Sequence, residues 1–298
     1  MVSDLHTVSF AAMGSRCEII LAAAGARQAH AIAAPAIDEV QRIERKYSRY
    51  RDDSMLSRIN AAAGRHAIAC DRETASLLAY ADTLYTTSQG CFDITSGVLR
   101  KAWDFRHGRV PQPGALEDLL PLVGWRSVSY DDTSVFLPLP GMELDFGGFG
   151  KEYAVDRAAE VLAGLDVRHG YVNLGGDMRF LGPRPDGAPW QIGIQDPRDM
   201  AATVAAIPVS RGALTTSGDY ERFIEIDGQR YCHVLDPHSG MPVSYWRSVS
   251  VVAPLAITAG SCTTIAMLLE QDGLDFLDRC GMSYLAVDHA GHIFRRTI

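Results

Sequence analysis

The sequence predicts an α+β fold, in which strands and helices are mixed without regular βαβ alternation. Segments of alternating polarity predict strands, and segments with apolar residues at helical spacing lie between them in no fixed order. We find no repeat, no low-complexity segment and no composition shift that would mark a linker in the 298 residues. With 47% hydrophobic residues, the chain can bury a substantial core. A chain of this length folds as one large domain or two small ones.

The elements of the first half follow from local patterns. Serine before a helical pattern is a favoured N-cap, and a pair of aspartates between alternating segments is typical of a turn. In chain order we predict a strand over 5–22 that breaks at Met13-Gly14, a helix over 26–47, a short helix capped by Ser54, a helix over 72–89, a short helix over 115–122, and a hairpin over 126–138 that turns near Asp131-Asp132.

The second half is organised around the stretch from Glu143 to Lys151. This stretch begins as a predicted strand, passes through Gly147, Gly148 and Gly150, and enters an amphipathic helix. The elements predicted after that helix are strands over 165–174, 171–182, 191–197, 203–210 and 248–254, a hairpin at Asp227-Gly228, helices over 257–271 and 272–279, and a closing hairpin across 288–291.

Composition excludes several classes of function. The net charge is -8, and lysine and arginine form no run, so a nucleic-acid partner is not expected. The six cysteines contain no C-x-x-C pair, which argues against a zinc site and fits a reducing compartment. No apolar run has membrane-spanning length, and the first residues lack a secretory signal pattern. We therefore expect a cytoplasmic protein.

The glycines between the predicted strand and helix point to a ligand. Glycine lets a backbone approach a ligand closely, and a helix N-terminus offers free N–H groups to an anion. Lys151 adds a positive charge where a phosphate would lie. A plain tight turn has the same pattern, so this stretch alone does not decide between the two readings.

His233 is the histidine best placed for a general base. It ends a predicted strand and precedes a loop rich in proline and glycine, with the carboxylate of Asp236 close by. The loop from Thr215 to Asp219 carries hydroxyls suited to phosphate oxygens, or to a capped turn.

Seven segments, spread over nearly the whole chain, carry a family resemblance. In order they are FAAMGSRCEI, YSRYRDDSMLSRIN, GCFDITSGVL, LDFGGFGKEYAVDRA, VNLGGD, TTSGDYERFIEIDGQRYCHVLDPHSGMPV and TAGSCTTIAML. Taken together, they resemble the ApbE family of FAD:protein FMN transferases. The resemblance implies a single domain over residues 1–298, with mixed, largely antiparallel sheets and packed helices. Family members cut FAD at its pyrophosphate, attach the FMN half to a threonine or serine of a partner protein, and depend on a divalent cation, usually Mg²⁺.

The resemblance implies roles for individual residues. His233 would take the proton from the acceptor hydroxyl. The metal would be held by Gly148, through its backbone oxygen, and by Thr263 and Thr264 on the helix near residue 260. The implied FAD contacts are Met13, Tyr50, Cys91, Phe92, Asp93, Asp145, Lys151 and Leu235.

The sequence departs from the family pattern at residue 260. The family usually has Ala-Asp-x-x-x-Thr here, whereas this chain reads Ala259-Gly260 followed by Thr264. A magnesium ion in proteins is usually held by one or two carboxylates, phosphates and waters, so the missing aspartate predicts a weakened metal site. Asp177 and Asp219 are candidate substitutes. Two alternatives therefore stand beside the transferase: a non-catalytic FAD-binding or carrier protein, and an FAD pyrophosphatase.

Overall fold

The computed structural model describes residues 4–105 and 107–296. The strands within these residues are β1 (Asp4–Ala12), β2 (Ser15–Ala23), β3 (Ile68–Ala69), β4 (Ser129–Tyr130), β5 (Ser134–Phe136), β6 (Gly170–Leu174), β7 (Asp177–Gly182), β8 (Trp190–Gln195), β9 (Thr203–Val209), β10 (Gly212–Gly218), β11 (Phe223–Ile226), β12 (Gln229–Cys232), β13 (Trp246–Ala253), β14 (Ser283–Asp288) and β15 (Ile293–Arg296). The α-helices are α1 (Ala26–Tyr47), α2 (Met55–Ala61), α3 (Arg72–Thr87), α4 (Ala115–Leu119), α5 (Gly150–Gly164), α6 (Ala256–Leu268) and α7 (Gly273–Arg279).

The main sheet has eight strands among the described residues, in the order β1-β2-β6-β7-β10-β13-β14-β15. Every neighbouring pair is antiparallel. Small antiparallel sheets are formed by β8 with β9, by β11 with β12, and by β3, β5 and β4. The prediction of an α+β fold with largely antiparallel sheets is therefore confirmed.

The main sheet is covered differently on its two faces. Helices α1, α5 and α6 pack on one face, and α5 contacts both of the others. The β8–β9 hairpin contributes Trp190 to a second apolar cluster with Tyr171 and Phe180. Successive side chains of a strand point to opposite faces. Accordingly Val172 belongs to the helix-side core, whereas Tyr171 contacts the Trp190 ring edge-on at 5.0 Å.

Most predicted elements are confirmed. Helices α1 and α3 match their predicted ranges within two residues, and the Ser54 side chain accepts a hydrogen bond from the Ser57 amide at 3.0 Å. The predicted strand over 171–182 is wrong, because Gly175 and Gly176 have φ of 61° and 97° and turn the chain between β6 and β7. The strand predicted over 165–174 begins only at Gly170.

The strand predicted before the central glycines is also wrong, since residues 143–146 belong to no strand. A side chain takes the place of a neighbouring strand there. The Asn60 amide donates to the Leu144 carbonyl at 3.0 Å, and its oxygen accepts from the Leu144 N–H at 2.7 Å. The next amide, of Asp145, donates to the Ile94 carbonyl at 2.9 Å. Hydrogen bonds to Asn60 and Ile94 thus fix the segment without a strand partner.

None of the helices in the described part of the chain is long and apolar enough to cross a membrane.

Candidate active site

A pocket opens where helix α5 begins. It brings together nine of the residues that the sequence singled out: Cys91, Phe92, Asp93, Asp145, Gly148, Lys151, His233, Leu235 and Thr264. Its wall also contains Asp177, a candidate substitute metal ligand, and Ser217 from the hydroxyl-rich stretch over 215–219. Charged and hydroxyl residues for which no site role was predicted line it too, namely Ser96, Arg100, Glu152 and Glu221. Met13, Tyr50 and Thr263 are not among the residues that line it.

The glycines of the central stretch permit close packing at the pocket floor. A Cβ on Gly148 would lie 2.7 Å from the Cζ atom of Phe92, closer than real Cβ contacts. Phe92 is buried and stacks on Phe149, with ring centroids 6.3 Å apart. A side chain at position 148 would therefore displace the aromatic floor, so glycine is required there.

Asp145 is held by two arginines. Arg49 approaches its carboxylate at 3.0 Å and Arg100 at 3.4 Å, and the Gly147 amide donates to it at 2.9 Å. Burial opposes ionisation of this group, but the charges of Arg100 and Arg49 outweigh it and lower the pKa of Asp145. Asp145 is therefore an ionised anchor that orients two cations beside the pocket.

Lys151 projects from the first turn of α5 into the pocket. Its Nζ atom lies 2.9 Å from the Asp177 carboxylate, whose side chain is only 5% exposed. Burial disfavours the charged amine, but the nearby carboxylates of Asp177, Glu152 and Glu221 outweigh it and raise the pKa of Lys151. The α5 N-terminus has no side-chain cap within the described residues. The Gly150 amide donates to the Phe146 carbonyl at 2.6 Å, which leaves the next amide, of Lys151, for a ligand.

Glu152 is the least expected member of the pocket. It is 8% exposed, and its Oε2 atom has no hydrogen-bond partner among the described residues. Burial, and then the Asp177 charge, raise the pKa of Glu152 well above its ordinary value. The signal for it was a charged residue on the buried face of α5, in line with Val155 and Ala159. A buried carboxyl oxygen without a partner is a candidate contact for a ligand.

His233 lies directly after β12, with its backbone amide bonded to the Arg222 carbonyl at 3.0 Å. The ring is half-buried, and its buried Nδ1 atom has no hydrogen-bond partner in the part of the chain that the structure describes. Burial, and then the charges of Arg100 and Arg222, lower the pKa of His233 to about 4. The imidazole is therefore neutral at physiological pH, the form in which it accepts a proton.

The two aspartates near these residues serve their own loops. Asp236 accepts from the Ser239 hydroxyl at 2.6 Å and from the His238 amide at 3.1 Å. Local turn donors thus occupy the Asp236 carboxylate, and it makes no hydrogen bond to His233 among the described residues. Asp93 accepts from the Thr95 amide and hydroxyl at 2.7 and 2.6 Å, which caps the 3₁₀ helix over residues 94–101.

The predicted residues outside the pocket have distinct surroundings. Tyr50 is 69% exposed, and the Arg49 guanidinium lies 5.1 Å from its ring centroid. Met13 forms the β1–β2 turn, where its amide donates to Glu44 at 2.8 Å. Thr263 is buried, donates to the Gly260 carbonyl at 2.9 Å, and is hydrogen-bonded to the Ser217 hydroxyl at 2.8 Å. The next residue of α6, Thr264, lines the pocket instead.

The donors present suit a cation that is held partly by its substrate. No group of three or more His, Cys, Asp or Glu side chains among the described residues could hold a metal ion. Asp219, one of the candidate substitutes, is bound by both terminal nitrogens of Arg198, at 2.8 and 2.6 Å, and does not line the pocket. The pocket does hold the Thr264 hydroxyl, Asp177 and the unpartnered Glu152 oxygen. Magnesium typically takes one or two carboxylates, with phosphates and waters completing its shell.

An antiparallel α+β fold whose pocket places a neutral imidazole beside a lysine and buried carboxyl groups is suited to enzymatic chemistry on a phosphate-containing substrate. Comparison with known sequences identifies the family. The ApbE family model matches residues 13–286, and the chain belongs to this family.

Relatives and solved structures agree with that assignment. A protein of Klebsiella pneumoniae named FAD:protein FMN transferase is 33% identical over 79% of this chain and 74% of its own. One of the same name from Treponema pallidum is 31% identical over 86% and 76%. The ApbE protein of Thermotoga maritima has a TM-score of 0.90 at 31% identity, over 98% of this chain and 97% of that one. The flavinyl transferase ApbE of Pseudomonas stutzeri has a TM-score of 0.87 at 27% identity, over 99% and 95%.

Proposed function

We propose that this protein is a Mg²⁺-dependent FAD:protein FMN transferase. It transfers the FMN moiety of FAD to a threonine or serine hydroxyl of an acceptor protein, forms a phosphoester, and releases AMP. The observation that carries the proposal is one pocket in which a neutral imidazole, His233, lies with Lys151 at the N-terminus of α5. The activity named for the relatives supports the same reaction.

In this mechanism His233 is the general base. The acceptor hydroxyl gives its proton to the imidazole while its oxygen forms a bond to the phosphorus of the FMN half. The bond from that phosphorus to the bridging oxygen breaks, and the electron pair leaves with AMP. A base that burial keeps neutral is ready for this step at physiological pH.

The pyrophosphate of FAD is held by positive charge and free amides. Lys151 offers its ammonium group, and the first turn of α5 offers backbone N–H groups. Arg100 lies in the same wall and keeps its orientation through Asp145. These groups orient the phosphorus for attack and stabilise the charge that develops on its oxygens.

The same pocket would hold the metal. Thr264 and the Gly148 carbonyl would be its ligands, with phosphate oxygens of FAD and a pocket carboxylate, and Thr263 would support them through its hydrogen bond to Ser217. When bound, Mg²⁺ neutralises charge on the pyrophosphate.

The flavin ring is proposed to lie between the pocket and the exposed ring of Tyr50. Tyr50 offers a free aromatic face beside Arg49, and Met13 offers a polarisable side chain at the β1–β2 turn. Cys91, Phe92 and Leu235 form the less polar part of the wall. Replacing Tyr50 with alanine should therefore weaken FAD binding, measured by quenching of flavin fluorescence, and Tyr130→Ala is a control outside the pocket.

The direct test is mass spectrometry of a candidate acceptor, encoded in the genomic neighbourhood, after incubation with the protein, FAD and Mg²⁺. Attachment of FMN to one threonine or serine, lost when that residue becomes valine or alanine, supports the proposal. Release of FMN and AMP without labelling would make the protein an FAD pyrophosphatase. Saturable FAD binding with no cleavage would make it a carrier.

A further inference from the structure

The glycine at position 260 has a structural partner. A Cβ at this position would lie 2.5 Å from the Cγ atom of Glu152 and 2.8 Å from its Oε1 atom. Real Cβ atoms essentially never approach other heavy atoms below 3.0 Å. The Glu152 side chain therefore fills the space that a residue at 260 would need, so a side chain there requires Glu152 to move. The sequence had given no reason for this glycine.

The register of the two helices places these residues opposite each other. Asp156 on α5 accepts from the Ala256 and Ile257 amides, both at 2.9 Å, and so caps the N-terminus of α6. One turn back along α5 is Glu152, and one turn forward along α6 is Gly260. These hydrogen bonds of Asp156 thus fix the register of α5 and α6, which places Glu152 beside Gly260.

Glu152 points to the pocket from this place. Thr264, which lies one turn after Gly260 on the same face of α6, lines the same pocket as Glu152. The Glu152 Oε2 atom has no hydrogen-bond partner among the described residues, although the side chain is only 8% exposed. Two other buried carboxylates of the pocket are already paired, Asp177 with Lys151 at 2.9 Å and Asp145 with Arg49 at 3.0 Å. Among the buried carboxylates of the described pocket, Glu152 therefore has the oxygen available for a cation.

We propose that Glu152 supplies the carboxylate ligand of the divalent-cation site, from α5, in the place where an aspartate at 260 would supply it from α6. The carboxylate can come from position 152 or from position 260, with glycine at position 260 when Glu152 supplies it, because the two side chains need the same volume. We call this alternative the exchange between positions 152 and 260. This inference rests on the proposed function for the presence of the cation, and it removes the reason to regard Gly260 as a lost ligand.

The test is Mn²⁺ binding to the purified protein, measured by electron paramagnetic resonance with FAD absent and then present. Glu152→Gln keeps the volume of the side chain and removes its charge, and should weaken Mn²⁺ binding by at least about tenfold. Glu160→Gln makes the same change on an exposed face of α5 and should bind Mn²⁺ as the wild type does. FAD fluorescence in each variant shows whether the flavin site is intact.

The exchange itself is tested with residue 260. Gly260→Asp alone should lower the melting temperature without strengthening Mn²⁺ binding, because its Cβ meets Glu152. The double variant Glu152→Gly with Gly260→Asp removes that contact and should restore Mn²⁺ affinity to within a few-fold of the wild type. Glu152→Gly alone should bind Mn²⁺ as weakly as Glu152→Gln.

These experiments test the role of Glu152 in the cation site independently of the flavin-transfer reaction. Wild-type Mn²⁺ affinity in Glu152→Gln, absence of Mn²⁺ binding by the wild type with FAD present, or no recovery in the folded double variant would overturn the role of Glu152. Flavin transfer by the wild type would remain open to its own test in each case. Conversely, Glu152-dependent Mn²⁺ binding in a protein that labels no acceptor would support the cation site and count against the transferase.

Discussion

Two clusters of charged residues in this protein use the same residue types in opposite ways. The first, the α1–α3 ion network, consists of Glu39, Arg42, Lys46, Asp71 and Glu73. Arg42 binds Glu73 through two nitrogens at 2.9 and 2.6 Å, and Lys46 reaches Glu73 at 2.6 Å. Burial opposes ionisation of Glu73, but the hydrogen bonds from Arg42, Lys46 and Tyr153 outweigh it and lower its pKa to about 2. Pairing therefore keeps this network charged.

The second, the pocket cluster, consists of Lys151, Glu152, Asp177 and His233. Here burial raises the pKa of Glu152 and lowers that of His233, so both groups tend to their neutral forms. Each also has a buried atom without a hydrogen-bond partner among the described residues. The difference teaches that charge alone does not mark a site. In the network every carboxylate has its cation, whereas in the pocket Glu152 and His233 each keep a polar atom available for a ligand beside the Lys151–Asp177 pair.

The largest expected effect comes from removing the base of the pocket cluster. His233→Ala should lower FMN transfer by roughly two to four orders of magnitude and leave FAD binding intact, because only the proton transfer is lost. His238→Ala, on the exposed loop that follows, should transfer FMN at the wild-type rate. The measurement is covalent flavin on the acceptor over time. Equal rates in the wild type and His233→Ala would place the base elsewhere.

The pH dependence of transfer gives the next effect. The base acts when neutral, and the pKa of His233 is about 4, so the rate should stay nearly constant from pH 8 to pH 5 and fall only as pH approaches 4. A histidine with an ordinary pKa near 6.5 would be roughly thirtyfold less active at pH 5 than at pH 8. Single-turnover rates across this range decide between the two. An acid limb centred between pH 6 and 7 would show that burial does not control this group.

Changes in the α1–α3 ion network should affect the stability of the fold rather than the rate of transfer. Glu73→Gln should destabilise the fold by about 1–2 kcal/mol at pH 7, because Arg42 and Lys46 lose a shared carboxylate. The folded-state pKa is depressed, so this contribution is present above the ordinary pKa and is lost as pH falls towards 2. Urea unfolding at pH 7 and pH 3 measures both. Glu160→Gln, which removes only an exposed pair with Arg157, is the control and should change stability by less than about 0.5 kcal/mol. Equal losses in both variants would count against the network.

The sequence predicted the features that neighbouring residues decide, and it missed those that depend on contacts between distant parts of the chain. Local patterns predicted the helices, the turn at Asp131-Asp132 and the glycine-rich approach to α5, because neighbouring residues decide them. They predicted a strand at 143–146 wrongly, since one distant side chain, Asn60, replaces a strand partner. The contact between Glu152 and Gly260 also joins distant parts of the chain. Because local patterns do not show this contact, the sequence alone predicts only a weakened metal site at Gly260.

The smallest expected effect is on the free energy of unfolding, and it distinguishes the pocket cluster most clearly from the α1–α3 ion network. In metal-free protein at pH 7, Glu152→Gln should change the free energy of unfolding by less than about 0.5 kcal/mol, although Glu152 is more buried than Glu73. Burial and the Asp177 charge raise the pKa of Glu152 well above its ordinary value and so favour its neutral form before a cation arrives. Glutamine has nearly the same volume, and no hydrogen bond to Oε2 is lost among the described residues. Urea unfolding in the presence of EDTA, beside Glu73→Gln, makes the comparison. A loss above about 1 kcal/mol would mean that Glu152 is ionised and paired with Lys151, so that the pocket cluster is held together by the same pairing as the network.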